Sequence, residues 1–513
     1  MPGIGFPKPR DLKPMNGADQ ILGPSLKAGR GDALALVCGE RSLSYSQLNQ
    51  LACRYGNAML AAGVTRQQPV LLLLDDGPEL VAAYLGAIKA GLVAVALNTR
   101  MAAKDLAHAL GDSGAPLLLA ETALMGLVAE AAPLTPAKPK VVESDGFAAF
   151  LGEASDQLVS AEMEPEDAAL WMYTSGTTGQ PKAAVHVHSS LALGERHVRE
   201  NLGLAPGDRI FSTSKLFFAY ALGHCLLGAL RCGATVILHQ GWPDATAAAA
   251  VIARSRPKVV LSVPSLYRLL LKEGFAVTEP FRHVHTWVSA GENLPEDLCR
   301  RWMEETGGLM LEGIGATEAL FLFIASTPTA MKPGACGRPL PWAEAQLRTP
   351  TGEIITEPDI SGDLWVRMDS LFRRYHSRPD VTQRVLRDGW WKSGDVFSVD
   401  AEGWWRPQGR SDDMIKVSGQ WVSPAEVEEA ALQVPGVADA VAVGIPNEDG
   451  LIRLVLYAVA ETGEHEPILE ARIIEALRAK LAIFKCPRAV RFLETIPRTA
   501  TGKVQRFKLR EAG

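Results

Sequence analysis

The sequence predicts an α/β protein with a large N-terminal domain of parallel βαβ-type sheets and a small β-rich subdomain, followed by a small α+β C-terminal domain. Three observations predict this fold. Short apolar strands alternate with helices through most of the chain, and tryptophans cluster after about Gly352. A charged, turn-like stretch at Gly409–Asp413 then precedes a last segment of strands and helices. We therefore predict a boundary at Asp412, with domains 1–411 and 412–513.

The first βαβ unit lies between residues 70 and 97. Val70–Leu74 and Val93–Leu97 are apolar runs of strand length, and Pro78–Ala90 between them has the length of a helix. The alternation resumes downstream and is typical of parallel sheets covered by helices, which bind ligands beyond the carboxyl ends of their strands. The predicted strands there are Arg209–Ser212, Ala234–His239, Lys258–Val263 and Thr286–Ser289, and the predicted helices are Leu222–Leu230, Thr246–Ser255, Ser265–Lys272 and Pro295–Glu305.

Composition argues against several functional classes. Hydrophobic residues make up 47% and charged residues 21% of the 513 residues, which is typical of a globular protein with a large core. The net charge of -6 argues against a nucleic-acid-binding protein. No apolar run reaches the roughly 18 residues of a membrane-spanning helix, and the N-terminus lacks a signal-peptide pattern. Seven cysteines without a CxxC pair indicate free thiols, so we expect a cytoplasmic protein without nucleic-acid or membrane partners.

A loop rich in glycine and hydroxyl side chains follows the apolar strand Ala169–Tyr173. Glycines bring backbone N–H groups close to an anion, hydroxyls donate to phosphate oxygens and lysine supplies a cation, so the loop indicates a polyphosphate site. Its spacing differs from a Walker A loop, because two residues separate its glycines and the lysine follows three residues later. The alternative is a surface turn without a ligand. The residues concerned are Thr174, Ser175, Gly176, Thr177, Thr178, Gly179 and Lys182.

Three later segments supply other groups that a bound nucleotide needs. Thr317 and Glu318 follow a strand end, where Thr317 could donate to a phosphate and Glu318 could hold Mg²⁺. Asp395 follows a tight turn and could accept both ribose hydroxyls, with Arg410 as a further donor. Lys503 lies in a basic segment and could reach a phosphate. Taken singly, each has a structural alternative: a turn after a strand, a capped turn with a surface cation, and a solvated basic tail.

The order of these four segments resembles that of the adenylate-forming enzymes, which include acyl-CoA synthetases, adenylation domains and luciferases. The resemblance extends from Arg41 to Arg510, and four motifs in one order are far more specific than each alone. It implies a large N-terminal domain with a small mobile C-terminal lid, ATP and Mg²⁺ as cofactors, and CoA as co-substrate. Such enzymes join a carboxylic acid to AMP with release of pyrophosphate and then pass the acyl group to a thiol.

The resemblance also implies residue roles. Thr174–Lys182 would hold the β- and γ-phosphates, and Asp412 would be the hinge of the lid. Three residues would be catalytic. Lys503 would contact both the acyl carboxylate and the α-phosphate, Thr317 would contact the α-phosphate, and Glu318 would bind Mg²⁺. The remaining positions would frame adenine (Gly291, Glu292, Glu312, Gly313, Ile314), bind ribose (Asp395, Arg410) and face the pantetheine arm of CoA (Lys416, Gly419). For Lys416 and Gly419 a simple strand and turn is an equal alternative.

Two positions depart from the family pattern. Ala183 and Ala184 follow the loop lysine where a glycine is usual, which affects the backbone approach there but not the side-chain roles. Ile314 occupies a position that is often aromatic, and it would pack on adenine by apolar contact.

Two segments, Lys215–His224 and Glu312–Glu318, resemble the benzoate-CoA ligase branch. Aromatic side chains in the first could wall a flat pocket for an aryl ring, or form an aromatic core cluster. The benzoate-like pattern carries a polar amide at the position of His224, so His224 could contact a ring substituent or be a structural histidine. The expected pocket consists of Phe218, Ala219, Tyr220, His224, Ala290, Gly291, Ile314 and Gly315.

We therefore predict an AMP-forming acid–thiol ligase: an ATP- and Mg²⁺-dependent aryl-CoA ligase for benzoate or a ring-substituted benzoate. Its partners would be a small aromatic carboxylic acid, ATP and CoA, and a homodimer is one open alternative for its assembly. The alternatives are a stand-alone enzyme that loads a carrier protein, a synthetase for a non-aromatic acid, an enzyme of luciferase-like oxygenation, and a non-catalytic nucleotide-binding relative. Intact Lys182, Glu318, Asp395 and Lys503 argue against the last of these.

Overall fold

The computed structural model describes residues 13–174, 180–411, 413–417, 420–446, 452–461, 466–498 and 504–511. The chain divides into two compact units. Unit 1 comprises Met1–Ala345 and Val366–Trp391, and unit 2 comprises Gln346–Trp365 and Lys392–Gly513. The predicted boundary at Asp412 lies outside the described residues and stays a prediction. Across the described ranges, no helix is long and apolar enough to cross a lipid bilayer.

The first part of unit 1 alternates strands with helices. The strands are β1 Leu34–Cys38, β2 Arg41–Ser44, β3 Pro69–Leu73, β4 Val93–Ala96, β5 Leu117–Ala120, β6 Lys140–Glu143, β7 Ala168–Thr174, β8 Lys182–Val187, β9 Arg209–Ser212, β10 Thr235–Leu238, β11 Val259–Ser262, β12 Thr286–Ser289, β13 Leu309–Gly315, β14 Leu322–Ala325 and β15 Arg338–Pro339. The α-helices are α1 Gly17–Lys27, α2 Tyr45–Ala61, α3 Pro78–Lys89, α4 Ala103–Ser113, α5 Met125–Ala131, α6 Phe147–Leu151, α7 Gly194–Arg196, α8 Ala229–Cys232, α9 Ala245–Ser255, α10 Pro264–Lys272, α11 Glu279–Arg282 and α12 Glu296–Thr306. The 3₁₀ segments are Thr122–Leu124, Ala132–Leu134, Ser144–Gly146 and His188–Leu193, and the π-helical segments are His197–Asn201 and Ala221–Gly228.

The rest of the chain is richer in strands at first and then mixed. The elements up to the predicted boundary are β16 Glu344–Arg348, β17 Ile354–Ile355, β18 Gly362–Arg367, β19 Arg374–Tyr375, α13 Pro379–Val385, β20 Leu386–Arg387, β21 Trp390–Val399 and β22 Trp405–Arg410. The elements after it are β23 Ile415–Val417, β24 Gln420–Val422, α14 Pro424–Leu432, β25 Val437–Pro446, β26 Ile452–Ala460, α15 Glu466–Lys480, a 3₁₀ turn at Ile483–Lys485, β27 Ala489–Phe492 and α16 Arg506–Glu511.

Unit 1 contains two large sheets. The nine-stranded sheet has the order β15-β14-β13-β12-β11-β9-β10-β1-β2, and the seven-stranded sheet has the order β19-β8-β7-β4-β3-β5-β6. The interiors of both sheets are parallel, as the alternation predicts. The nine-stranded sheet becomes antiparallel towards both edges, at β13–β14 and at β1–β2, and the seven-stranded sheet at one edge, from β7–β8 onwards. The connection 175–181 between β7 and β8 is shorter than the roughly dozen residues that a parallel crossover needs, so the chain forms a hairpin there.

Burial explains why the predicted strands form. Every residue of β3 and β4 is buried, and so is every residue of helix α3 between them except Glu79. Parallel strands covered on both faces require such continuous apolar runs. In the nine-stranded sheet, Trp287 of β12 and Trp302 of α12 are both 0% exposed and pack edge to face, with ring centroids 4.9 Å apart. The predicted helix Leu222–Leu230 begins in the π-helical segment Ala221–Gly228 and ends in α8.

Unit 2 combines a β-rich part with a mixed α/β part. Strand β21 pairs antiparallel with β22, and β25, β26 and β27 form a three-stranded sheet whose last pair is parallel. The core of the mixed α/β part includes apolar side chains of α14, β26 and α15, among them Val427, Leu456 and Ile473, each 0% exposed. This part matches the predicted α+β segment, and its first helix is α14, Pro424–Leu432.

Candidate active site

The two ends of the predicted phosphate loop are held together by the hairpin. Thr174 is the last residue of β7 and Lys182 the first of β8, and the two face each other in the antiparallel register. Residues Ser175, Gly176, Thr177, Thr178 and Gly179 lie outside the described residues. The side chain of Lys182 is half-buried and places its Nζ 4.7 Å from the centroid of the Tyr375 ring.

Tyr375 also contacts the predicted metal ligand. It belongs to β19, which pairs with β8, and its hydroxyl donates to Oε1 of Glu318 over 2.6 Å. A tyrosine therefore contacts both the loop lysine and the carboxylate of Glu318. Tyr375 was not predicted from the sequence, because no local pattern marks a residue that is 57 positions away from its partner.

Thr317 and Glu318 follow β13, as predicted, and main-chain contacts hold them there. His186 of β8 lies 2.8 Å from the carbonyl oxygen of Thr317 through its Nε2, and the amide of Phe372 donates to the carbonyl oxygen of Glu318 over 2.7 Å. A carbonyl oxygen can only accept, so Nε2 of His186 carries the proton. Burial lowers the pKa of His186 to about 4, which keeps the ring neutral near pH 7. His186, to which the sequence analysis assigned no chemistry, thus positions Thr317.

The donor set at Glu318 fits a magnesium ion that is shared with a nucleotide. Across the described residues, no group of three or more His, Cys, Asp or Glu side chains could hold a metal ion by itself. Mg²⁺ commonly takes one or two carboxylates and completes its shell with waters and substrate phosphates. A single half-buried carboxylate beside a lysine suits that arrangement better than a metal cage made only of protein groups.

The predicted adenine frame lies at the carboxyl ends of β12 and β13. These strands are parallel, with Ser289 opposite Glu312, and Ala290 and Gly291 follow β12 directly. Glu312 is buried and its Oε1 accepts from the amide of Leu294 over 3.2 Å, which ties the segment after β12 to β13. Gly291 has a φ of 88°, a left-handed conformation that favours glycine.

The other predicted frame residues differ in exposure. Glu292 is exposed and accepts from both the amide and the hydroxyl of Ser265, over 3.0 and 3.1 Å, so its carboxylate is already engaged. Gly313 and Ile314 lie within β13, with Gly313 buried and Ile314 half-buried. Gly315 is the last residue of β13, and a Cβ there would approach the carbonyl oxygen of Phe321 to 2.9 Å. The glycine therefore lets the main chain before Leu322 pack closely.

A buried ion cluster anchors the predicted aromatic segment. The Nζ of Lys215 lies 2.6 Å from Asp75 and 3.6 Å from Asp76, and both oxygens of Asp76 accept from the amide of Leu216. Burial raises the pKa of Asp76 to about 7. The cluster thus fixes the beginning of the segment that carries Phe218, Ala219 and Tyr220. Lys215 appears in the predicted motif, but its partners lie far away in sequence and could not be read from it.

The structure gives His224 two main-chain partners. Its side chain is 1% exposed, Nδ1 lies 3.2 Å from the carbonyl oxygen of Tyr220, and Nε2 lies 3.2 Å from the amide nitrogen of Leu322. The amide can only donate and the carbonyl can only accept, so Nε2 is unprotonated and Nδ1 carries the hydrogen. Tyr220 is half-buried, and its hydroxyl donates to the carbonyl oxygen of Val288 over 2.9 Å. This geometry favours the structural alternative for His224.

The predicted ribose pair belongs to unit 2. Asp395 and Arg410 face each other across β21 and β22, and Nη1 of Arg410 lies 2.8 Å from Oδ1 of Asp395 and 3.1 Å from the carbonyl oxygen of Ser393. The prediction of a turn before Asp395 is wrong, because Gly394 and Asp395 lie inside the strand β21. Gly394 has a φ of 78°, a left-handed conformation within the strand. A Cβ on Gly394 would approach Nη2 of Arg410 to 2.7 Å.

Several predicted positions have no described side chain. Asp412, Gly419 and Lys503 lie outside the described residues, and Lys416 is described only as part of β23. Next to Lys503 along the chain, Val504 forms an isolated antiparallel bridge with Arg498, and the amide of Gln505 donates to Pro497 over 2.8 Å. The roles of these positions stay predictions.

The lysine at the start of β8 and the carboxylate just after β13 both contact Tyr375. This arrangement fits a nucleotide-binding enzyme of the adenylate-forming class. Comparison with known families agrees. The AMP-binding enzyme family matches residues 26–376, and the AMP-binding enzyme C-terminal domain matches residues 426–503. The chain belongs to the AMP-binding enzyme family, in its benzoate-CoA ligase-like branch. The predicted family, fold class and enzyme assignment are confirmed.

Individual relatives are similar over nearly the whole chain. The chain is 48% identical to a 3-hydroxybenzoate–CoA ligase of Aromatoleum sp. (strain CIB), covering 97% of each protein. It is 36% identical to a benzoate–CoA ligase of Thauera aromatica, covering 97% of this chain and 96% of that one. Among solved structures, an anthranilate CoA ligase, AuaEII, in complex with anthranoyl-AMP superposes with a TM-score of 0.92 at 31% identity, covering 98% of both chains.

Proposed function

We propose that the protein is an ATP- and Mg²⁺-dependent aryl-CoA ligase that converts benzoate or a ring-substituted benzoate into its CoA thioester through an acyl-adenylate. The observation that carries this proposal is the pair of opposite charges, Lys182 and Glu318, which contact one tyrosine beside the phosphate loop. Relatives of 48% and 36% identity that act on hydroxybenzoate and benzoate support the aryl substrate.

The charges of the reactants explain the residues that the reaction needs. In the first step a carboxylate oxygen of the acid bonds to the α-phosphorus of ATP, and the bond to pyrophosphate breaks. This joins two anions, so cations must offset their repulsion and align the reacting atoms. Lys182 would bind the β- and γ-phosphates and Lys503 would bridge the carboxylate and the α-phosphate. Mg²⁺, when held by Glu318, neutralises phosphate charge.

In the second step the sulfur of CoA bonds to the carbonyl carbon of the acyl-adenylate, and AMP leaves with the bonding electrons of the C–O bond. The thiol proton is lost to solvent. Asp395 and Arg410 would hold the ribose throughout, and Asp412 would be the hinge about which the C-terminal domain turns between the steps. Lys416 and Gly419 would then face the pantetheine arm.

The adenine and the acid would occupy neighbouring positions in unit 1. Glu312, Gly313 and Ile314 would frame the adenine together with Gly291 and Glu292. The acid would be enclosed by a largely apolar set of side chains and main-chain segments. That set consists of Phe218, Ala219, Tyr220, His224, Ala290, Gly291, Ile314 and Gly315.

His224 would act on the acid indirectly. Both its ring nitrogens are engaged by Tyr220 and Leu322, so its effect on ring-substituted acids would pass through the position of Tyr220. We expect His224→Ala to change the preference among benzoate, hydroxybenzoates and aminobenzoates. An unaltered preference would leave His224 with a structural role only.

The protein would work in the cytoplasm. All seven cysteines are free and buried, which suits a reducing compartment, and ATP and CoA are both available there.

The test is ATP–pyrophosphate exchange with a panel of acids, followed by thioester formation with CoA. The panel contains benzoate, 3- and 4-hydroxybenzoate, 2-aminobenzoate, cyclohexanecarboxylate and octanoate. We expect exchange with the aromatic acids and discharge of the adenylate by CoA. Exchange with octanoate alone would refute the aryl substrate, and an adenylate that CoA never discharges would point to a carrier protein as acceptor. Lys182→Ala should weaken exchange, whereas Lys104→Ala, an exposed lysine of α4, is the matched control.

A further inference from the structure

Tyr375 contacts two groups of opposite charge with two different parts of its side chain. Its hydroxyl donates to Oε1 of Glu318 over 2.6 Å, and the Nζ of Lys182 lies 4.7 Å from its ring centroid. The residue is 4% exposed. No ion pair joins Lys182 directly to Glu318 in the described part of the chain, so the tyrosine lies between the two charges without neutralising either.

The surroundings of Tyr375 hold it rigidly. It faces Ala184 across the β19–β8 pair, and its amide donates to the hydroxyl of Thr382 over 3.0 Å. Its ring also packs on that of Phe372, with centroids 4.6 Å apart. Because β8 begins at Lys182, the tyrosine is fixed to the same strand that carries the loop lysine.

The two contacts have separate physical effects. A hydrogen bond from a neutral phenol orients the carboxylate of Glu318 through Oε1 and leaves Oε2 available to a cation. Hydrogen bonds to a metal-binding carboxylate tune its affinity for the metal. The ring face attracts the ammonium of Lys182 by a cation–π interaction, which orients the lysine while its charge remains available to an anion. A direct ion pair between Lys182 and Glu318 would instead have to break when a phosphate and a metal bind.

We propose that Tyr375 is a positioning residue of the adenylation step: its hydroxyl orients Glu318 for the metal of metal–ATP, and its ring holds Lys182 ready for the phosphates. This inference rests on the proposed function, in which Glu318 binds the metal and Lys182 binds phosphate. It assigns the two effects to different atoms of one side chain. Two substitutions can therefore separate them.

The experiment measures binding, not turnover. The probes are Mn²⁺, followed by electron paramagnetic resonance, and an ATP analogue with a methylene group between the α- and β-phosphorus. Tyr375→Phe removes the hydroxyl and keeps the ring, so we expect Mn²⁺ affinity in the presence of the analogue to fall about tenfold. The affinity of Tyr375→Phe for the metal-free analogue should stay within about twofold of the wild-type value. Tyr375→Leu removes both contacts and should weaken both affinities. Wild-type Mn²⁺ affinity in Tyr375→Phe would overturn the proposal.

Two further variants make the result specific. Tyr84→Phe is the matched control, because Tyr84 is a buried tyrosine of unit 1 whose hydroxyl has no hydrogen-bond partner among the described residues. This variant should bind Mn²⁺ like the wild type. Glu318→Gln tests the proposed function separately. If Glu318→Gln leaves Mn²⁺ affinity unchanged, the metal role of Glu318 fails. If Glu318→Gln weakens it and Tyr375→Phe does not, only the role of Tyr375 fails. The double variant should bind Mn²⁺ no more weakly than Glu318→Gln alone.

Discussion

Acid should destabilise unit 1 through its buried histidines, and His224 allows the effect to be calculated. Its neutral ring accepts from the amide of Leu322 at Nε2 and donates to the carbonyl of Tyr220 at Nδ1. A second proton would place an N–H group against the N–H of Leu322. Burial accordingly lowers the pKa of His224 from 6.5 to about 4.

The sign and size follow from the two pKa values. In the unfolded chain His224 takes up a proton near pH 6.5, whereas in the folded chain it does so only near pH 4. The stability due to the neutral ring is therefore complete above pH 6.5 and is lost as the pH falls towards 4. At about 1.4 kcal/mol per pKa unit the whole effect is about 3 kcal/mol, of which about 2 kcal/mol is lost by pH 5.

The perturbation is His224→Gln, whose side-chain oxygen can still accept from Leu322 but does not titrate. The assay is the melting temperature at pH 8, 7, 6 and 5 by differential scanning calorimetry. Between pH 8 and pH 5 we expect the variant to lose about 2 kcal/mol less stability than the wild type, which corresponds to a few degrees in melting temperature. His285→Gln, at an exposed histidine, is the control. An equal loss in the wild type and in His224→Gln would refute the reasoning.

Two other predictions concern the nucleotide. Lys503→Ala should slow adenylation by on the order of 100-fold, because it removes charge stabilisation from the transition state, yet largely spare thioester formation from supplied acyl-adenylate. Rapid-quench assays of the two half-reactions check this, and an equal loss in both would remove Lys503 from its role. Gly394→Ala should lower the stability of the fold by about 1–2 kcal/mol, the cost of a non-glycine left-handed residue, and should raise the Kd for ATP because Arg410 is displaced. Its Cβ would also meet Arg410 at 2.7 Å, and calorimetric titration with ATP showing wild-type affinity would contradict this reasoning.

Local sequence predicts the elements of the fold well where burial is uniform. The strand Thr286–Ser289 has the predicted bounds and is buried at every residue. Arg209–Ser212 also has the predicted bounds, although its first residue is exposed. Pairing is harder to predict, because it depends on residues far away in sequence. The pairing of β19 with β8 and the position of Asp395 inside β21 belong to this second group.

The chemical groups of the candidate site, and their order along the chain, were determined by the sequence alone. Short motifs carry Lys182, Glu318 and Asp395, since the type of residue and its spacing are local properties. Only the tertiary structure decided which groups meet within each unit. Tyr375 reaches Glu318 across 57 positions, and His224 is satisfied by Leu322, 98 positions away. Such contacts arise when strands and helices pack into one core, and no local pattern specifies them.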